Sequence, residues 1–121
     1  MKSWMAAALL AVTAASCAGP IRSSPPVVTP AGVRFAFVQP TARSVAVAGS
    51  FNQWSPASNP LAREKSGAWS ALVALSPGEY LFMYVVDGTE WVTPPLAEDY
   101  ADDGFGSKNG VVVVRRAAGR Q

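Results

Sequence analysis

SPGEYLFMYVVDGTEWV, residues 76–92, decides the fold class. Ser76–Tyr80 carries the Pro-Gly punctuation of a tight turn. Tyr80–Val86 is an unbroken run of aromatic, β-branched and long apolar side chains, a strongly strand-forming composition whose two faces are both apolar. Asp87-Gly88 signals a hairpin, and Glu90–Thr93 returns from it. If Phe82, Tyr84 and Val86 face a core, Leu81, Met83 and Val85 form an outward apolar row. Such a row needs cover from another strand, a ligand or a partner.

Outward from this hairpin the period stays near two. Val33, Phe35 and Phe37 alternate with Arg34, Ala36 and Val38, and Val45 and Val47 alternate within Ser44–Ala48. Gly49–Lys65 reads as a long loop, and Trp69, Ala71, Val73 and Leu75 form a further alternating strand. Pro94 and Pro95 end the hairpin's second strand, Ala97–Lys108 reads as an acidic glycine-containing loop, and Val111–Val114 as the last strand. About seven short strands, turns every eight to twelve residues or so and no helical periodicity predict an all-β sandwich. The chain of 121 residues suffices for one such domain.

The N-terminal end is built differently. Residues 1–16, MKSWMAAALLAVTAAS, hold an early lysine and then an apolar stretch, the pattern of a secretory signal. The stretch is shorter than the ~20 residues that span a bilayer. Small residues precede the single cysteine in TAASCAGP, so Cys17 resembles the lipidated residue of a bacterial lipobox, with Ala14 where leucine is usual. Ordinary cleavage after Ala18 is the alternative. The lipobox reading implies an exported cell-envelope lipoprotein, and Ala18 after the cysteine points to the outer membrane of a Gram-negative host. Residues 17–31, with four prolines, read as a tether reaching on the order of 40 Å. The module then occupies residues 32–116, and 117–121 form a polar tail.

Several function classes are excluded. With one cysteine and no histidine, the chain forms no internal disulfide, no His-based catalytic pair and almost no kind of zinc site. Without the signal, nine Lys/Arg face eight Asp/Glu, which gives a nucleic-acid partner little electrostatic support. Glu98, Asp99, Asp102 and Asp103 lack the spacing of a calcium loop and read as a solvated segment. No catalytic residue, metal or cofactor is expected, and the chain is not expected to be an enzyme.

The remaining feature is VAGSFNQWSP, residues 47–56, where a tryptophan stands in a turn beside two amides. Either the indole folds into the core or it receives something flat. Trp69, in phase with Ala71 and Val73, reads as core, and Asn52 as a side chain that bonds its own loop. VAGSFNQWSP, SPGEYLFMYVVDGTEWV and DDGFGSKNGVVVV, in this order, resemble the glycogen-binding modules of the AMP-activated kinase β subunit and the early-set domains beside isoamylase-type enzymes (carbohydrate-binding module family 48). The resemblance covers about residues 32–115 and implies an immunoglobulin-like early-set β-sandwich that binds α-1,4-glucan on an exposed face.

Carried over by position, the resemblance implies stacking of glucose rings on Trp54 and Trp91, polar contacts from Asn109 and Ser107, and a wedge at Phe105. Glu90 places Trp91 one residue later than in the kinase module, and Pro94–Pro95 replace an Asp-Pro. Met83 stands where the kinase module has a lysine that reaches the sugar. Physical chemistry suits these roles. A glucose ring shows C–H groups on its faces and hydroxyls at its edge, which match an indole and an amide respectively. The expected partner is an α-glucan polysaccharide or oligosaccharide, with a glucan-active enzyme as a further one and the membrane reached through the lipid anchor. The alternative is an early-set protein-interaction domain that has lost sugar binding, with a partner covering Leu81, Met83 and Val85.

Overall fold

The computed structural model describes residues 22–116. Nine strands run in chain order: β1 Val27–Thr29, β2 Gly32–Val38, β3 Val45–Gly49, β4 Ala62–Arg63, β5 Ala68–Val73, β6 Gly78–Val86, β7 Glu90–Val92, β8 Asp99–Asp102 and β9 Lys108–Val114. They form two antiparallel sheets, one in the order β1-β2-β5-β4 and the other β3-β6-β9-β8, with β7 also paired to β6. The fold is the all-β sandwich that the alternating pattern predicts, and it is consistent with the immunoglobulin-like early-set form that the resemblance implies.

The two sheets meet through the period-two residues. Phe35 and Phe37 of β2 face Phe82 and Tyr84 of β6, with ring centroids 5.1 Å apart for Phe35–Phe82 and 4.6 Å for Phe37–Tyr84. Val33, Val45, Val47, Val73, Val86, Val112 and Val114 fill the space around these rings. Each such side chain contributes roughly 1.5–3 kcal/mol when fully buried, so the rings and the valines around them together hold the two sheets face to face. The Tyr84 hydroxyl donates to the Ala36 carbonyl at 3.4 Å, and burial pushes its pKa well above the ordinary phenol value. Trp69 is core, as its phase predicts: it is buried and its Nε1 donates to the Gln39 carbonyl at 3.0 Å. Its ring is further covered by the Arg63 guanidinium, 4.9 Å from the ring centroid.

Three expectations change. The segment predicted as a tether as far as Ala31 is partly strand: β1 pairs with β2, and Val38 N donates to Ser23 Oγ at 3.1 Å. The sandwich therefore begins before Gly32, because valines beside an open strand edge gain backbone partners there. Both predicted long loops contain short strands, β4 and β8, each held by an established neighbour, β5 and β9. Finally, the outward row on β6 does not lie open. Met83 and Val85 are buried within the chain itself, and Leu81 is half-buried. Val85 lies opposite Ala46 on one side and Trp91 on the other, and Met83 lies opposite Ala48. Cys17, the signal and the polar tail lie outside the described residues.

Candidate functional site

The site grows from a change of partner along β6. One edge of β6 pairs with β9 as far as Phe82 and with β7 from Tyr84 onward. Met83 sits at that junction, on the face turned away from the core. Thr93 Oγ1 ties the end of β7 to the Lys108 carbonyl at 2.7 Å and so fixes the spacing of the two partners. Gly110 is required on β9 because a Cβ there would come within 2.6 Å of Pro94 Cγ and 2.9 Å of Phe82 Cε1.

Trp54 is delivered by the turn after β3. The Asn52 carboxamide holds that turn, as expected: its Oδ1 accepts from Gly49 N at 3.0 Å and Ser55 N at 3.2 Å. Its Nδ2 donates to the Val47 carbonyl at 3.2 Å and to Asn59 Oδ1 at 2.6 Å. Ser50 locks the turn to β6 through Ser50 N to the Leu81 carbonyl and Leu81 N to Ser50 Oγ. Phe51 points inward and stacks on Phe35 at 5.6 Å. Gln53 and Trp54 then both adopt left-handed backbone, with φ of 57° and 58°. For a residue as bulky as tryptophan this conformation costs on the order of 1–3 kcal/mol and persists only where its surroundings impose it. Here Trp54 N donates to the Gly49 carbonyl at 2.9 Å, so the backbone is pinned and the half-buried indole is aimed.

Trp91 comes from β7, opposite Val85, and is 43% exposed. The hairpin that carries it is anchored by Asp87, whose Oδ1 accepts from Arg43 N at 2.7 Å and Ser44 N at 3.1 Å. These two bonds hold the Asp87 carboxyl below the usual carboxylate range. Phe105 comes from the turn between β8 and β9 and is 93% exposed. Glycines 104 and 106 flank it with φ of 85° and 96°. Asp103 organises this turn: its Oδ1 accepts from Phe105 N at 2.7 Å and Ser107 N at 3.1 Å.

Trp54, Met83, Trp91, Asp103, Phe105 and Asn109 together line one open hollow of about 460 Å³. Five of the six residues that sequence reasoning selected therefore meet in one place. Ser107 is exposed at the end of the Phe105 turn and does not line the hollow. Asp103 does line it, although its sequence context reads only as a solvated acidic run. The signal that marks it is an aspartate two residues before an exposed aromatic in a Gly-X-Gly turn. The neighbouring acidic side chains are engaged elsewhere, Glu98 with Arg115 at 3.2 Å and Asp102 with Lys108 at 2.8 Å. Lys108 holds Asp102 below the ordinary carboxyl range and is itself raised by it.

Asn109 is the chemically telling member. It is only 7% exposed, yet among the described residues its carboxamide has no hydrogen-bond partner. Buried polar groups are almost always paired, and an unpaired amide costs about 1–3 kcal/mol. Lining a hollow with two indoles and a phenyl ring, this amide offers a donor and an acceptor to a ligand that brings its own hydroxyls.

Comparison with known proteins agrees with this chemistry. Residues 32–119 match the family described as the glycogen recognition site of AMP-activated protein kinase. The chain is similar to 1,4-alpha-glucan branching enzymes: 39% identical over 72 residues to one of Rhizobium johnstonii, covering 58% of this chain and 10% of that protein. The same figures hold for the enzyme of Pseudomonas syringae pv. syringae. That of Deinococcus radiodurans is 47% identical over 49 residues, covering 40% of this chain and 7% of that protein. The chain thus spans about a tenth of the length of the curated relatives it matches.

Proposed function

The chain belongs to the family that provides the glycogen recognition site of AMP-activated protein kinase, and we propose that it binds α-1,4-linked glucan without acting on it. The hollow on the outer face of the β6 sheet is the binding site. Trp54 and Trp91 take ring faces of successive glucose units, and Phe105 wedges against the chain from the third side. Asn109 bonds hydroxyls at a ring edge, Met83 provides an apolar floor, and Ser107 reaches polymer that extends past the hollow. The single observation that carries this reading is the buried Asn109 carboxamide, unpartnered among the described residues and lining a hollow walled by aromatic rings. The lining is made of aromatic, amide and thioether groups and one carboxylate, a set suited to holding a sugar rather than cleaving one.

Stacking adds about 1 kcal/mol per ring beyond area burial. The dissociation constant should accordingly lie between about 1 µM and 1 mM. Retention on immobilised glycogen tests the assignment: wild type is held, and Trp54→Ala and Trp91→Ala each weaken retention by at least about tenfold. Folded wild-type protein that passes glycogen and amylose unretarded would overturn it. Our reading includes export and anchoring through a lipidated Cys17, supported by the apolar N-terminal stretch and the small residues before the cysteine. Cys17→Ser should then move the protein from the membrane fraction to the soluble one, and continued membrane retention would refute the anchor.

A further inference from the structure

The hollow carries one formal charge, and it is negative. Its lining comprises three aromatic rings, a thioether, an amide and the Asp103 carboxylate. The nearest lysine along β9, Lys108, is committed to Asp102 at 2.8 Å. Asp103 is half-buried, and its Oδ1 is occupied by the backbone N–H groups of Phe105 and Ser107. Those two bonds hold the carboxylate at the hollow's wall and bring no positive charge to it. An anionic group brought against the indoles would meet this charge with no cation among the lining side chains to offset it.

We propose that Asp103 makes the site selective for uncharged α-glucan, rejecting chains that carry phosphate, sulfate or carboxylate substituents. The inference rests on the glucan-binding reading and specifies the substrate class. Like charges placed together at a binding surface discriminate against the wrong ligand more than they alter binding of the right one. Asp103 thus has two separable properties, an acceptor oxygen that shapes the Phe105 turn and a charge that filters ligands. Asp103→Asn retains an oxygen for Phe105 N and Ser107 N and removes the charge alone.

The test compares maltoheptaose with maltoheptaose oxidised at C6 of every ring to the carboxylate, so that no register of the chain escapes the charge. Calorimetric titration of wild type at about 0.02 M salt should show the oxidised chain binding at least about fivefold more weakly, the order expected for unit charges near a protein surface. Asp103→Asn should narrow that ratio, and so should raising the salt to about 0.5 M, where charges are screened within a few ångströms. Equal binding of the two chains by wild type, or a ratio unchanged in Asp103→Asn, would overturn the proposal. Failure of wild type to bind either chain would remove the glucan-binding reading instead, and this inference with it.

Discussion

Replacing Asn109 by leucine should make the free protein more stable while destroying its proposed activity. In the unliganded fold the Asn109 carboxamide is 7% exposed and has no partner among the described residues. An amide with no partner at all costs about 1–3 kcal/mol, and water entering the open hollow keeps the cost for Asn109 near the lower end of that range. Leucine is close in size, and its apolar surface is at home beside Met83 and Trp91, which line the same hollow. Part of the gain is lost because the hollow is open and leucine does not fill it fully. The expected net effect is a stabilisation of about 1 kcal/mol, equivalent to a rise in Tm of about 4–8 °C for a domain of this size. Urea unfolding followed by tryptophan fluorescence measures it as a higher midpoint at unchanged slope. The same variant should lose retention on glycogen. An Asn109→Leu protein less stable than wild type, or one that keeps wild-type affinity, would refute the reasoning, because the amide would then be structural.

Other perturbations separate scaffold from site. Asn52→Ala removes a side chain making four hydrogen bonds within the Trp54 turn, and at roughly 0.5–1.5 kcal/mol each, less partial rescue by water, should destabilise by about 3 kcal/mol in urea unfolding. Gly110→Ala forces a Cβ against Pro94 and Phe82 and should cost about 1–3 kcal/mol, read as a lower Tm. Asp87 titrates below its ordinary value because Arg43 N and Ser44 N donate to it. The folded state thus binds its proton less readily than the unfolded chain. Its contribution is present above the unfolded carboxyl value of 3.8 and is lost as pH falls through the folded one. Asp87→Asn should therefore be less stable than wild type at pH 7, with a gap that closes below about pH 4 in acid unfolding; a gap independent of pH would show that charge is not involved.

Much of this molecule is legible without coordinates, for identifiable reasons. The β6–β7 hairpin declares itself because an unbroken apolar run meets Asp-Gly, and strand phase alone places Trp69 in the core. β4 and β8 are hidden because their residues have no strand signal of their own, and β1, the β-branched Val27–Thr29, because Pro25, Pro26 and Pro30 around it read as a tether. β8 is Asp-Tyr-Ala-Asp, a poor strand composition, and forms only where β9 offers an open edge. Met83 and Val85 illustrate the limit of periodicity: it assigns them to the outer face but does not reveal that the chain's own Trp91, Ala46 and Ala48 stand beside them. The site residues that lie in motifs, Trp54, Trp91, Phe105 and Asn109, converge as expected. Asp103 escapes because it reads with its acidic neighbours as a solvated run, and only its place two residues before Phe105 in the Gly-X-Gly turn sets it apart.

The most direct measurement is a calorimetric titration of the full chain with maltoheptaose, set beside the β-1,4-linked cellohexaose. The account predicts saturable binding of the α-linked chain in the micromolar to millimolar range and no detectable binding of the β-linked one. No binding of maltoheptaose at about 10 mM by folded protein, or equal binding of both sugars, would contradict it.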